Sequence, residues 1–92
     1  MIAIIATLKV KEGTGPEFEQ AFAKLIEQTR TETGNVFYHL VKSRVDGSYK
    51  VMELYTDEDA LQAHRDQPKD VARTLAPFMD GRAEVELLDL IG

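Results

Sequence analysis

The stretch that decides the fold is NVFYHLVKSRVDGSYKVMELYT, Asn35 to Thr56. Two runs rich in β-branched and aromatic residues flank Asp46-Gly47, a dipeptide suited to a two-residue hairpin loop because both positions tolerate positive φ. With Asp46 and Gly47 as the loop, Arg44 faces Tyr49, Leu40 faces Glu53 and Tyr38 faces Tyr55. Side chains alternate along a strand. One sheet face therefore carries Val36, Tyr38, Leu40, Val51, Glu53 and Tyr55, and the other carries Asn35, Phe37, His39, Val41, Met52 and Leu54. Both faces are substantially apolar, so both are expected to be covered.

Working outward toward the N-terminus, Ile2, Ile4, Ala6, Leu8 and Val10 fall on one face of a first strand. The segment EGTGPEFEQ marks a loop and a helix start, with Pro16 in the first turn and Glu17 three residues after Thr14, a capping-box spacing. Phe18, Phe22, Leu25 and Thr29 then recur at helical spacing, and Gly34 is the expected terminator. Toward the C-terminus, Thr56 is placed to cap a second helix with Asp59 in the reciprocal position. Ala60, Leu61 and His64 share the apolar side of that helix, and Pro68 interrupts it. Val71, Leu75 and Phe78 suggest a further helical segment, and RAEVELLDLI closes the chain as a strand.

The order β-α-β-β-α-(α)-β predicts an antiparallel sheet with helices on one face, the ferredoxin-like α+β plan, in a single domain over residues 1–92. Helices cover only one sheet face. A symmetric partner is the economical cover for the other, so a homodimer is expected.

Composition narrows the partners. Eleven Lys and Arg against sixteen Asp and Glu give a net charge of −5, with no basic cluster to serve a nucleic acid. There is no cysteine, hence no disulfide, thiolate metal site or cysteine nucleophile. The two histidines, His39 and His64, lack a third partner in the sequence pattern of a zinc site, so no metal is expected. The opening MIAIIATLKV is too short to span a bilayer and lacks a basic n-region and cleavage site, so the expectation is a cytoplasmic protein without membrane association.

In order, four pieces of sequence resemble one family. They are Lys11 and Gly13 in KEG before the first helix, Glu32-Thr33-Gly34 after it with Asn35 and Tyr38 following, Glu53 with Tyr55, and Ala60, Leu61 and His64. Together they resemble the antibiotic biosynthesis monooxygenase domain, a dimeric α+β barrel, over roughly Ile4 to Lys69. Two departures stand out. Lys69 occupies the place where relatives often have a second histidine after a proline, and Tyr55 stands where Trp is common. Residues 65 to 92 contain no histidine, so the resemblance does not extend to haem-degrading members.

The resemblance implies a pocket between sheet and helices, and in some members oxidation of phenols or quinols by molecular oxygen without flavin, metal or haem. The implied substrate is therefore a small aromatic or quinol-like molecule. An electron-rich phenolate itself reduces oxygen, so the protein needs to deprotonate it, hold it in a dry cavity and stabilise developing charge. His64, which titrates near neutrality when unperturbed, is the expected proton acceptor, with Asn35 polarising a substrate oxygen. His39, on the same predicted face as Asn35, is the secondary pocket histidine. Tyr38 and Tyr55 are candidate substrate contacts through their hydroxyls, and Phe22 is core first and pocket wall second. Glu53 is read as a structural partner of a Lys or Arg rather than a catalytic acid. Two other activities fit the same pocket: isomerisation of a small oxidised metabolite, and non-enzymatic ligand binding by a stress-associated barrel.

Overall fold

Four antiparallel strands, β1 (Ile2–Leu8), β2 (Asn35–Lys42), β3 (Tyr49–Tyr55) and β4 (Glu84–Asp89), lie in the order β2-β3-β1-β4. The computed structural model describes residues 1–92. Helix α1 (Gly15–Arg30) connects β1 to β2, and α2 (Glu58–Arg65) follows β3. A four-residue helix, α3 (Asp70–Arg73), and a 3-10 turn at Ala76–Phe78 lead into β4. This is the expected ferredoxin-like α+β plan.

The central hairpin forms with a register displaced by two residues from a two-residue loop. Lys42 faces Tyr49, Leu40 faces Val51 and Tyr38 faces Glu53. The loop is longer because Ser43 and Ser48 organise it. Ser43 N–H donates to the Ser48 carbonyl at 2.8 Å, Ser43 Oγ accepts from Val45 N–H at 3.1 Å, and Asp46 Oδ1 accepts from Ser48 N–H at 2.9 Å. An even displacement keeps every side chain on its face. The exception is the start of β2, where a register shift sets Val36 out of the ladder and brings Asn35 opposite Tyr55. Asn35 therefore leaves the face it was expected to share with His39.

Local signals also shifted. Thr14 precedes α1 but makes no side-chain cap; its hydroxyl donates to the Lys11 carbonyl at 2.7 Å instead. Asp57, not Thr56, caps α2, with Oδ1 accepting from Ala60 N–H at 2.8 Å. Gly34 does not supply a left-handed cap, since positive φ occurs only at Gly13, Gly47 and Gly81. Its lack of a side chain serves close packing: a Cβ there would collide with Ala60 Cβ and sit 3.2 Å from Ala60 Cα.

The core lies between the helices and one sheet face. Phe18 and Phe22 of α1 pack with Ala6, Tyr38, Tyr49, Val51 and Leu75, while Ile2, Ile4 and Tyr55 pack with Leu61 of α2. Complete burial of a side chain such as Phe18 or Leu61 contributes about 1.5–3 kcal/mol. Strand β4 is exposed along its whole length, including Val85 and Leu87 on the helix side of the sheet. No helix is long and apolar enough to cross a membrane.

Candidate active site around His64

The site forms where the C-terminal end of α1 meets α2. Asp57 starts α2, and Ala60 at Gly34 seats it close to the segment after α1. That packing carries His64 to Glu32. His64 Nδ1 lies 3.0 and 3.1 Å from the two Glu32 carboxylate oxygens. A carboxylate only accepts, so Nδ1 carries the donated proton and Nε2 is left as the basic nitrogen of the neutral ring. Nε2 lies 3.8 Å from Glu53 Oε1, which accepts the Tyr55 hydroxyl at 2.7 Å. The imidazole thus stands between two carboxylates.

Electrostatics in this corner are dominated by burial. Glu53 is only 7% exposed, and desolvation raises its pKa against the lowering effects of the Tyr55 hydrogen bond and His64. Burial also raises the Tyr38 phenol, helped by the Glu53 and Glu32 charges. Tyr55 rises for the same first reason, reinforced by its bond to Glu53. Both tyrosines are therefore donors at neutral pH.

A cavity of about 90 Å³ opens beside this cluster, with Thr29, Glu32, Tyr38, His64 and Gln67 among its walls. Thr29 is 1% exposed, and its hydroxyl oxygen is buried with no hydrogen-bond partner. A larger hollow of about 690 Å³ lies at the other end of α1, against Lys9, Lys11, Lys42 and Tyr49; none of the expected site residues reaches it. No group of three or more His, Cys, Asp or Glu side chains is arranged to hold a metal ion.

Of the residues expected at the site, His64 and Tyr38 line this cavity. Four do not. Asn35 turns its amide onto the Phe37 carbonyl at 3.0 Å, so it braces the irregular start of β2. His39 lies on the opposite sheet face, stacked on Phe37 at 5.5 Å with Arg30 Nη2 3.1 Å from Nδ1, so the two histidines do not share a pocket. Phe22 is core, stacked behind Tyr38 at 6.0 Å. Tyr55 is fully buried beneath His64, with ring centroids 5.1 Å apart. Glu53 meets Tyr55 and His64 in place of the expected Lys or Arg.

Glu32 and Thr29 are the residues that pattern reading passed over. The signals were present: Glu32 opens the Glu32-Thr33-Gly34 motif, and Thr29 puts a hydroxyl in the apolar stripe of α1.

Comparison with known proteins agrees with this fold. The family model for antibiotic biosynthesis monooxygenase matches residues 1–69. A structure from Caulobacter crescentus CB15, provisionally described as an antibiotic biosynthesis monooxygenase, is 36% identical with a TM-score of 0.92, covering 99% of this chain and 90% of that one. SnoaB, a cofactor-independent oxygenase from Streptomyces nogalater, is 26% identical with a TM-score of 0.84, covering 99% and 93%. A Nitrosomonas europaea protein of the same provisional description, 21% identical with a TM-score of 0.90 over the full length of both chains, shares the fold. No curated protein matches the chain. With the family model spanning three-quarters of the sequence and the expected fold in place, the chain belongs to the antibiotic biosynthesis monooxygenase family.

Proposed function

We propose that the protein is a cofactor-independent monooxygenase that oxidises a phenolic or quinol-like small molecule beside His64, and that it works as a homodimer. The observation that carries the reading is the His64–Glu32 pair on the wall of a small cavity between the C-terminal end of α1 and the segment from α2 to α3, with Tyr38 the strand residue that lines it. Glu32 fixes the proton on Nδ1, and Nε2 takes the proton of the substrate hydroxyl. The resulting imidazolium lies between Glu32 and Glu53 and is stabilised by both. The phenolate then supplies the electrons to oxygen. With a quinol, one oxygen atom enters a ring C–H as a hydroxyl, the two quinol oxygens end as carbonyls, and the other oxygen atom leaves as water with the two quinol hydroxyl hydrogens. The likeness to SnoaB supports an oxygenase that works without a cofactor. His64 is the catalytic base in this scheme and Tyr38 a donor to the substrate; Asn35 holds the β2 irregularity that positions Tyr38.

Oxygen uptake with a panel of quinols and phenols tests the reading. His64→Ala is expected to lower kcat by roughly 10²–10⁴-fold, the range of a lost general base. Absence of uptake with any compound that demonstrably binds would sink it. A second reading, isomerisation of a small oxidised metabolite, uses the same His64–Glu32 pair to move a proton and needs no oxygen. Product formation under nitrogen would select it.

A further inference from the structure

The sheet face turned away from the helices is polarised. Side-chain rows run across it from β2 on one edge to β4 on the other. The first row is apolar and runs from Phe37 to Leu88. The second runs from His39 through Met52 and Ile5 to Glu86, and the third from Val41 and Lys50 to Glu84. Positive groups stand on the β2 side, where Lys50 is exposed and Arg30 reaches His39; the exposed carboxylates of Glu84 and Glu86 stand on β4. Arg30 only donates, so His39 Nδ1 accepts from Nη2 at 3.1 Å. The neutral ring then carries its proton on Nε2, a donor for an outside acceptor.

Two such faces pack in alignment about a twofold axis in two ways. An axis across the strands sets β4 on β4. It puts Glu86 on the partner's Glu86, His39 on the partner's His39, and apolar Leu88 on the partner's Glu84. An axis along the strands keeps each row on itself and reverses its direction. Phe37 then meets the partner's Leu88, Met52 the partner's Ile5, and His39 the partner's Glu86. Joining the free edges of β4 instead pairs two strands that each carry Glu84, Glu86 and Asp89, a run of like charges. We propose that two copies pack about the axis along the strands, β2 of each over β4 of the other, with His39 and Arg30 on the partner's Glu86. Lys50 then lies within side-chain reach of the partner's Glu84. This arrangement rests on the homodimer of the proposed function, but not on any chemistry at His64.

The chain has no cysteine, so single cysteines report the packing without altering a charge. After subunit exchange, Phe37→Cys and Leu88→Cys chains should be joined by a short bismaleimide, and Phe37→Cys and Val41→Cys chains should not. The reverse pattern would place the axis across the strands and overturn the proposal. Sedimentation gives the energetic side. Glu86→Lys, at an exposed position, should raise the dimer Kd by about tenfold to a hundredfold, because it turns two symmetric attractions into repulsions. Combining it with His39→Glu should restore most of the affinity. An unchanged Kd in Glu86→Lys, or no rescue by the pair, would overturn the proposal. If Glu86→Lys fails to fold, Glu86→Gln supplies the same test with a smaller loss. A wild type of single-chain mass removes the homodimer and this arrangement together. A wild-type dimer joined through residues 37 and 41 removes this arrangement alone.

Discussion

Glu53 sits on the floor of the site with its carboxylate almost out of water, answered by one hydroxyl and one imidazole. Burial wins over both partners, so its folded pKa lies above the ordinary 4.5. The linkage has a definite sign. A carboxyl with a raised folded pKa holds its proton more tightly in the folded state. Its contribution to stability is full below the ordinary value and is lost as pH rises through the folded one. Glu53→Gln keeps an acceptor for Tyr55 and removes the charge. The variant should therefore melt a few degrees above wild type at neutral pH, with the gap closing toward acid pH. A wild type whose relative stability improves as pH rises would contradict this account of Glu53. The same residue shows where sequence reading stops. His64 was legible because its position on α2 follows from helical spacing. Its partners were not, because Glu32 is 32 residues away and meets it only through packing of α2 over the end of α1. Thr29 was legible as a stripe position, but its missing hydrogen bond exists only in three dimensions.

Element by element, alternation and helical spacing transferred well, whereas caps and turns read from one or two residues did not. The alternation of β2 and β3 set the faces correctly, because a hairpin displaced by two residues restores the same alternation. The displacement itself comes from Ser43 and Ser48, whose loop hydrogen bonds outweigh the preference of Asp46-Gly47 for a two-residue turn. Gly34 was read as a helix terminator, yet its backbone is ordinary and its importance lies in the approach of α2. This has a direct test. Gly34→Ala forces Cβ into Ala60 and should cost about 1–3 kcal/mol, the usual penalty for overpacking. Because α2 carries His64, the displacement should also weaken the Glu32 contact and lower turnover. Ala60→Gly costs about 1 kcal/mol alone as a helix glycine, yet combined with Gly34→Ala it should recover part of the loss. Denaturant melts of the two single variants and the pair measure this coupling. Strict additivity would show that the two residues do not share the contact.

At the scale of the molecule, the sheet has apolar surface that its own helices leave uncovered. The face away from α1 and α2 carries Ile5, Phe37, Val41, Met52 and Leu88, with Met52 40% exposed between Ile5 and His39. On the helix side, Val85 and Leu87 of β4 are also open, because α1 and α2 reach only across β1, β2 and β3. A domain of this size buries only about 60–70% of its unfolded surface, so leaving a sheet face in water is costly. A second copy laid against the open face buries it symmetrically, with one patch contacting the same patch. The wild type should therefore sediment with twice the 10.3 kDa chain mass at micromolar concentration. Met52→Asp places a charge at the centre of that face and should yield a monomer that keeps its β-sheet signal, since Met52 points away from the helix-side core. The reduced burial should also lower the variant's melting temperature, whereas that of wild type should rise with protein concentration, as mass action requires of a dimer that unfolds to monomers. A wild type of single-chain mass, melting at a temperature independent of concentration, would rule out the dimer and leave the open face to some other cover.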